Sequence, residues 1–419
     1  MMKNKVATIA GPFIQIITMQ NTPLRGPVAQ HHLHIVNNSW IGWSEGRIDQ
    51  IGQYKDLLEY YSDFVLNINE ISEPSVLLPG WIDCHTHICY GGHRIEDYSK
   101  RLEGKTYLQI AKEGGGINRS VKDTRSAADS VLLESLMRRL AEMGQGGVTT
   151  VEVKSGYGLS VQDELRMLRI IHEADSISSQ NIIPTCLAAH MKPFDFHGNN
   201  IDYLNKISNQ LLPQVQTENL ASRVDIFIEE TAFRPQESLE FLMSAKAMGF
   251  DLTIHGDQFT TGGSEIAIQV KALSVDHLEA SGDNEIRMLA KSNTVAVVLP
   301  GASLGLGMPF APMRKLLDQG CCVAIASDWN PGSAPMGHLL TMASIMSAYE
   351  KVSIPEVIAG ITVRAARALK LSDRGIIEKD KRADLVSFPT HDYREIFYRQ
   401  GRINPSDIWI GGVKSEMIN

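Results

Sequence analysis

The chain has 419 residues, 43% hydrophobic and 21% charged, with a formal net charge of −8. This is an ordinary globular composition, and the length suits one large barrel with a small appended domain, or two domains. The acidic balance argues against nucleic acid or an anionic membrane as partner, and no apolar run is long enough to span a bilayer.

Met1 to Lys5 lead into a short mixed segment without a signal-peptide pattern, which predicts a cytoplasmic protein. Between residues 31 and 52, short apolar bursts (His34-Ile35-Val36, Trp40 to Trp43, Gly46 to Gly52) are punctuated by turn residues and predict a small antiparallel sheet. At Leu77-Leu78-Pro79-Gly80 the pattern changes, and a predicted strand from Trp81 to Ile88 follows. Residues two apart on a strand share a face, so His85 and His87 should project together, as two ligands of one metal would. Alone, a His-x-His is a weak signal.

Seven further apolar strands follow: 148–154, 182–190, 224–228, 252–255, 273–277, 294–299 and 323–328. Helical periodicity occupies Ser126 to Met143, Glu164 to Ala174, Pro235 to Met248 and Ser264 to Val270. Gly114-Gly115-Gly116 lacks the Lys-Ser/Thr of a phosphate loop and predicts a flexible or close-packed loop over the site. From Gly375 to Val386 the chain returns to turn and strand. The five cysteines, Cys84, Cys89, Cys186, Cys321 and Cys322, are odd in number and irregularly spaced, so no disulfide framework is expected.

Eight β/α repeats predict an α/β fold, a (β/α)8 TIM-type barrel, with a doubly wound sheet as the alternative. The β-rich ends should fold together as one small β-sandwich domain. The expected division is 1–76 and 371–419 for the small domain and 77–370 for the barrel.

A barrel places its active site at the C-terminal strand ends. His85, His87, His190, His255, His277 and Asp328 all lie at such ends and should converge on one mouth. Imidazole and carboxylate without thiolate suit zinc, iron or a similar ion. Three histidines and one aspartate would leave a position for water, and a further histidine could move its proton.

Those residues resemble the metal ligands of the amidohydrolase superfamily. The stretches His93-Arg94, Arg101 to Tyr107, Gly114 to Ile117, Glu152 to Leu159, Ser274 to Leu278, Leu299 to Ala302 and Ser327 to Ser333 are similar to the imidazolonepropionase family, and the resemblance runs over most of the chain. It implies a metal-dependent hydrolase of histidine breakdown that opens the ring of 4-imidazolone-5-propanoate to N-formimidoyl-L-glutamate. It also implies one zinc or iron ion per subunit on His85, His87, His255 and Asp328, with His277 beside the metal assisting the attack and Asp328 also catalytic. Arg94, Tyr157 and His190 would hold this small-molecule substrate, with Gln258, and with Asn330, Gly332 and Ser333 on the other side. A homodimer is implied as well.

An Arg fork suits the propanoate carboxylate. Ser333 could equally be a helix N-cap. Two departures stand out. Gln258 occupies a place where many members carry Glu, which moves proton transfer toward His277 and Asp328 or leaves it to Asp257. After His190 the chain runs Met191-Lys192-Pro193-Phe194-Asp195, unlike the family's usual small residue and Glu. The competing readings are a deaminase or other cyclic-amide hydrolase of the superfamily, against which Arg94 and Tyr157 speak, and a non-catalytic metal-binding scaffold.

Overall fold

The computed structural model describes residues 5–415 apart from the side chains at 107, 108 and 111, so the tips of both predicted end segments (1–4 and 416–419) and the side chain of the quoted Tyr107 lie outside the described residues. The N-terminal strands are β1 (Val6–Ile17), β2 (Ile35–Ser44), β3 (Arg47–Gly52), β4 (Val65–Glu70) and β5 (Val76–Pro79). The next eight are β6 (Trp81–Asp83), β7 (Val148–Lys154), β8 (Asn181–Ala189), β9 (Arg223–Ile228), β10 (Asp251–Gly256), β11 (Ser274–His277), β12 (Val295–Val298) and β13 (Val323–Ile325). β14 (Leu385–Phe388), β15 (Asp407–Ile410) and β16 (Val413–Lys414) close the chain.

Strands β6 to β13 form one sheet in sequential order, every neighbouring pair parallel. This is the predicted barrel. Both faces of such a sheet are covered, so its strands read as mainly apolar runs: β12 is Val-Ala-Val-Val, and every residue of it is buried. Helices on the outside show the complementary pattern. The helix α1 (Asp129–Gln145) buries Leu132, Leu136, Leu140 and Met143, three or four apart. Helices α2 (Val161–Ile177), α3 (Pro235–Ala247) and α4 (Gly263–Val270) occupy the other predicted positions.

The barrel closes in an unexpected way. β6 and β13 end early, at Asp83 and Ile325, and the ladder does not join them. The segments beyond them join instead. The Asp328 N–H donates to the His85 carbonyl (3.1 Å), the His87 N–H to the Trp329 carbonyl (2.9 Å), and the Ser327 N–H to the Asp83 carboxylate (3.1 Å). The predicted strands 81–88 and 323–328 are therefore too long. His85 and His87 do not share a pleated face; irregular backbone aims them, and Asp328 has φ +54°, outside any strand geometry.

The remaining strands make one hydrogen-bonded sheet, ordered β16-β15-β14-β5-β1-β2-β3, with β4 also on β1. It is mixed rather than purely antiparallel, because β4 and β5 run parallel to β1. The sheet curls until its ends meet. Trp43 on β2 and Trp409 on β15 pack edge to face at 5.8 Å, and the Trp43 indole N–H donates to the Gly412 carbonyl. Phe13, Ile16, Ile41, Leu77 and Leu385 fill the space between, as the inner faces of a sandwich would.

The longest strand, β1, was hidden in what the sequence presents as a mixed segment. Its residues Ala7, Ile9, Ala10, Phe13, Ile16 and Ile17 are all buried, on both faces, so no clean alternation marks it. Pro12 interrupts the pattern at a shift of register between Ala10 and Phe13, where a strand tolerates proline.

Candidate active site

Three imidazoles meet at the mouth of the barrel. His87 Nε2 lies 3.1 Å from His85 Nε2 and 3.1 Å from His255 Nε2. Asp328 Oδ1 stands 3.5 Å from the first of these residues' Nε2 atoms as numbered along the chain, His85, and 3.4 Å from that of His87. Ligand atoms about 2.0–2.2 Å from a tetrahedral ion stand roughly 3.3–3.5 Å apart. All four residues are at most 3% exposed.

The other ring nitrogens say which atoms carry protons. His85 Nδ1 is 2.7 Å from Asp276 Oδ2, and His255 Nδ1 is 3.0 Å from Asp225 Oδ2. A carboxylate behind Nδ1 keeps the proton there and turns the Nε2 lone pair forward. The forward lone pairs and the Asp328 oxygen then point at one another. Buried acceptors at such distances repel unless a cation sits between them, so the donor set fits a divalent metal ion. Burial holds the pKa values of His85, His87 and His255 below the usual imidazole range, which keeps them neutral and able to ligate.

His277 ends β11 beside this set, its ring 5.5 Å from that of His255 and 6.1 Å from that of His85. Its backbone has φ +91° and that of Leu278 +74°, two successive non-glycine residues in a disfavoured region. His277 Nδ1 faces Glu279 Oε2 at 3.4 Å, and Glu279 is held by the Ser303 hydroxyl. Burial would lower the pKa of His277, but the charge of Glu279, with Asp328 and Asp276 behind it, raises it above the usual value. Burial also raises that of Asp328. The environments of these two groups favour taking up a proton, as does that of Asp276 behind His85, where burial raises the carboxyl pKa to about 7.

Tyr157 and His190 line the next wall. The His190 ring stacks on His87 at 5.4 Å, and Tyr157 lies 5.6 Å from His190. His190 follows the end of β8 rather than ending it, with Nδ1 3.0 Å from the Gly156 carbonyl. The Ser155 to Leu159 loop is tied down by Glu164, whose carboxylate accepts from the N–H groups of Gly156, Gly158 and Leu159. Gly158 has no room for a side chain, because a Cβ there would lie 2.6 Å from the Asp163 backbone.

Opposite, Arg94 reaches the loop after Asp328. A Cβ on Gly332 would lie 1.8 Å from Arg94 Nη2, so the guanidinium lies flat against that glycine. Arg101, which the sequence analysis quoted only within a motif, donates from Nη2 to the Gly332 carbonyl at 2.9 Å. The Asn330 side chain works inside the loop. Its amide donates to the Asp328 carboxylate and the Ser333 hydroxyl, and its oxygen accepts from the N–H groups of Gly332 and Ser333. Ser333 opens no helix; the next begins at Leu339 with His338 as its cap. Gln258 is 7% exposed at the mouth, and Asp257 is occupied by Ser264 and Ser281.

In the Gly114 to Gly116 run, Gly114 is exposed with open space beside it, whereas Gly115 and Gly116 are buried and close-packed. Gly116 N–H donates to Asp97, and a Cβ on Gly115 would strike the same carboxylate at 2.3 Å. All five cysteines are buried and unpaired. Asp225, Asp276, Glu279 and Glu164 are functional positions that the sequence does not plainly announce. The first two carried a signal, a charged residue within a short apolar strand.

The model of the amidohydrolase family matches residues 108–402. The chain is 40% identical to the imidazolonepropionase of Caldanaerobacter subterraneus subsp. tengcongensis, over 81% of this chain and 84% of that one. It is 38% identical to that of Deinococcus radiodurans, over 96% and 97% of the two chains. Among solved structures it superposes on a zinc-bound adenosine deaminase from Xanthomonas campestris with a TM-score of 0.71 at 15% identity, covering 98% of this chain and 92% of that one. An atrazine chlorohydrolase from Arthrobacter aurescens, complexed with zinc, gives 0.69 at 14% identity, covering 97% and 94%. At such identities the last two likenesses speak for the fold alone. Among the described residues, no helix is long and apolar enough to cross a membrane.

Proposed function

This chain belongs to the imidazolonepropionases of the amidohydrolase family, and we propose how its residues open the ring of 4-imidazolone-5-propanoate to N-formimidoyl-L-glutamate in histidine degradation. The chemistry is metal-dependent hydrolysis of a carbon–nitrogen bond.

His85, His87, His255 and Asp328 would hold one zinc or iron ion per subunit. When bound, such an ion polarises a carbonyl and lowers the pKa of water toward neutrality. His277 takes up the proton of the attacking water on the ring nitrogen that faces away from Glu279 as the water oxygen adds to the ring carbonyl carbon, and Glu279 stabilises the imidazolium that results. His277 then returns the proton to the substrate nitrogen that leaves when the carbon–nitrogen bond breaks. Asp328, tied through its other oxygen to Asn330, shares that proton. Arg94 grips the propanoate carboxylate, which lays the imidazolone ring across Tyr157, His190 and Gln258. Gln258 hydrogen-bonds the ring without transferring a proton. Asn330 shapes the loop on which Gly332 and Ser333 meet the substrate. The family resemblance also supports a homodimer in the cytoplasm, and a sizing measurement checks the dimer.

The observation that carries this reading is the convergence of three neutral imidazoles and Asp328, with His87 Nε2 3.1 Å from both other imidazoles and 3.4 Å from Asp328, a short span from Arg94 against Gly332. The test follows the loss of imidazolone absorbance with purified protein, with metal analysis of the same sample. Metal-replete protein that leaves the absorbance unchanged would refute it.

A further inference from the structure

Beneath the three histidines lies a charged cluster to which the proposed chemistry gives no role. Lys154, at the end of β7, is fully buried. Its ammonium is 2.7 Å from Glu152, 2.8 Å from Asp225 Oδ2 and 3.9 Å from Asp276 Oδ2. Glu152 is itself paired with the buried Arg223 at 3.3 Å and receives the Thr185 hydroxyl. Asp225 and Asp276 are the two carboxylates behind His255 and His85, and each presents the same oxygen to its histidine and to Lys154.

An unpaired charge in this interior would be costly, so the arrangement has to be balanced. Three buried carboxylates face two buried cations, which leaves one negative charge. A divalent ion together with the Asp328 carboxylate cancels it. The cluster is thus matched to an occupied site. Among the described residues, Lys154 is also the one side chain paired with both supporting carboxylates.

We propose that Lys154 is a positioning residue for the metal site: its ammonium pins Asp225 and Asp276 against the Nδ1 atoms of His255 and His85 and so sets how tightly the site holds a divalent ion. The inference rests on the metal reading given above. Without Lys154 the two carboxylates lose their common anchor, and the histidines they hold lose their aim. Outer partners of this kind typically contribute about 10- to 100-fold to metal affinity.

The test is zinc affinity of the metal-stripped full chain, measured by competition with a chromophoric chelator. Wild type should bind one zinc ion, and Lys154→Met should bind it about 10- to 100-fold more weakly. The rise in melting temperature that zinc gives should shrink in the same variant. A merely structural lysine would lower the melting temperature with and without zinc alike and leave the affinity unchanged, and that result overturns the proposal. In an Asp225→Asn/Asp276→Asn background the effect of Lys154→Met on affinity should largely vanish; a full, additive loss also overturns it. Should Lys154→Met fail to fold, Asp276→Asn breaks the same route one link further along, and wild-type affinity there overturns the proposal. Failure of wild type to bind any divalent ion would instead refute the metal reading itself.

Discussion

The floor and the rim of the active site are built on different plans. On the floor, His85, His87, His255, His277 and Asp328 are at most 3% exposed. They stand at or just past barrel strand ends, and His85, His255 and His277 each have a carboxylate at Nδ1. At the rim, Arg94 precedes a short helix, Ile95–Leu102, that buries none of its residues and leaves Ile95 and Leu102 65% and 73% exposed. Its hold on the site runs through Gly332 and through Arg101. The floor therefore resembles a rigid scaffold for chemistry, and the rim an adjustable edge for binding. If that division is right, floor substitutions should strike turnover, and rim substitutions should strike substrate affinity.

The largest effect should come from His255→Ala. Removing one ligand opens the donor set and leaves Asp225 with Lys154 as its remaining charge partner. Bound metal should fall well below one ion per chain, and turnover by on the order of a thousandfold or more. Metal analysis and the absorbance assay check this on one sample. Retained metal with retained turnover would break the floor's assignment.

Next is His277→Ala. Here the metal should stay while kcat falls by roughly 10²- to 10⁴-fold, the usual contribution of a positioned proton-transfer group. Full activity would remove His277 from that role and pass it to another group at the mouth. Arg94→Ala then crosses to the rim. A lost charge-assisted hydrogen bond is worth about 1.5–3 kcal/mol, so KM should rise about 10- to 100-fold while kcat changes little. An equal fall in kcat at constant KM would show that the rim takes part in chemistry, and the division would fail.

The same division explains what could be read from the sequence. All eight barrel strands were legible, because strands covered on both faces leave mainly apolar runs such as Val295 to Val298. The ligands were legible because His and Asp stand out at the ends of such runs. Their geometry was not. His85, His87 and Asp328 sit where the ladder stops and loop-to-loop hydrogen bonds close the barrel, and no periodicity describes that. Asp225, Asp276 and Lys154 were written in the strands, but what they do depends on contacts across five strands of the barrel. β1 is also buried on both faces, but it escaped because Thr8, Gly11, Pro12 and Gln15 break up its apolar run. At the rim, Arg94 was chosen for its chemistry, whereas Arg101 acts through the carbonyl of Gly332, a backbone group with no signature in sequence.

The smallest predicted effect makes the sharpest use of the comparison. Gly332→Ala adds one methyl group where the Arg94 guanidinium lies, 1.8 Å from Nη2. Overpacking a rigid core with a methyl commonly costs about 1–3 kcal/mol of stability. Here the obstructing atoms are the far end of a flexible side chain, so the methyl should displace Arg94 rather than strain the fold. The melting temperature should barely move, kcat should hold, and KM should rise several-fold, short of the full Arg94→Ala effect. Because the methyl acts through Arg94, Gly332→Ala should add nothing to KM in an Arg94→Ala background. Additive losses would mean that residue 332 meets the substrate on its own account. A large fall in melting temperature would mean that the rim is as tightly packed as the floor.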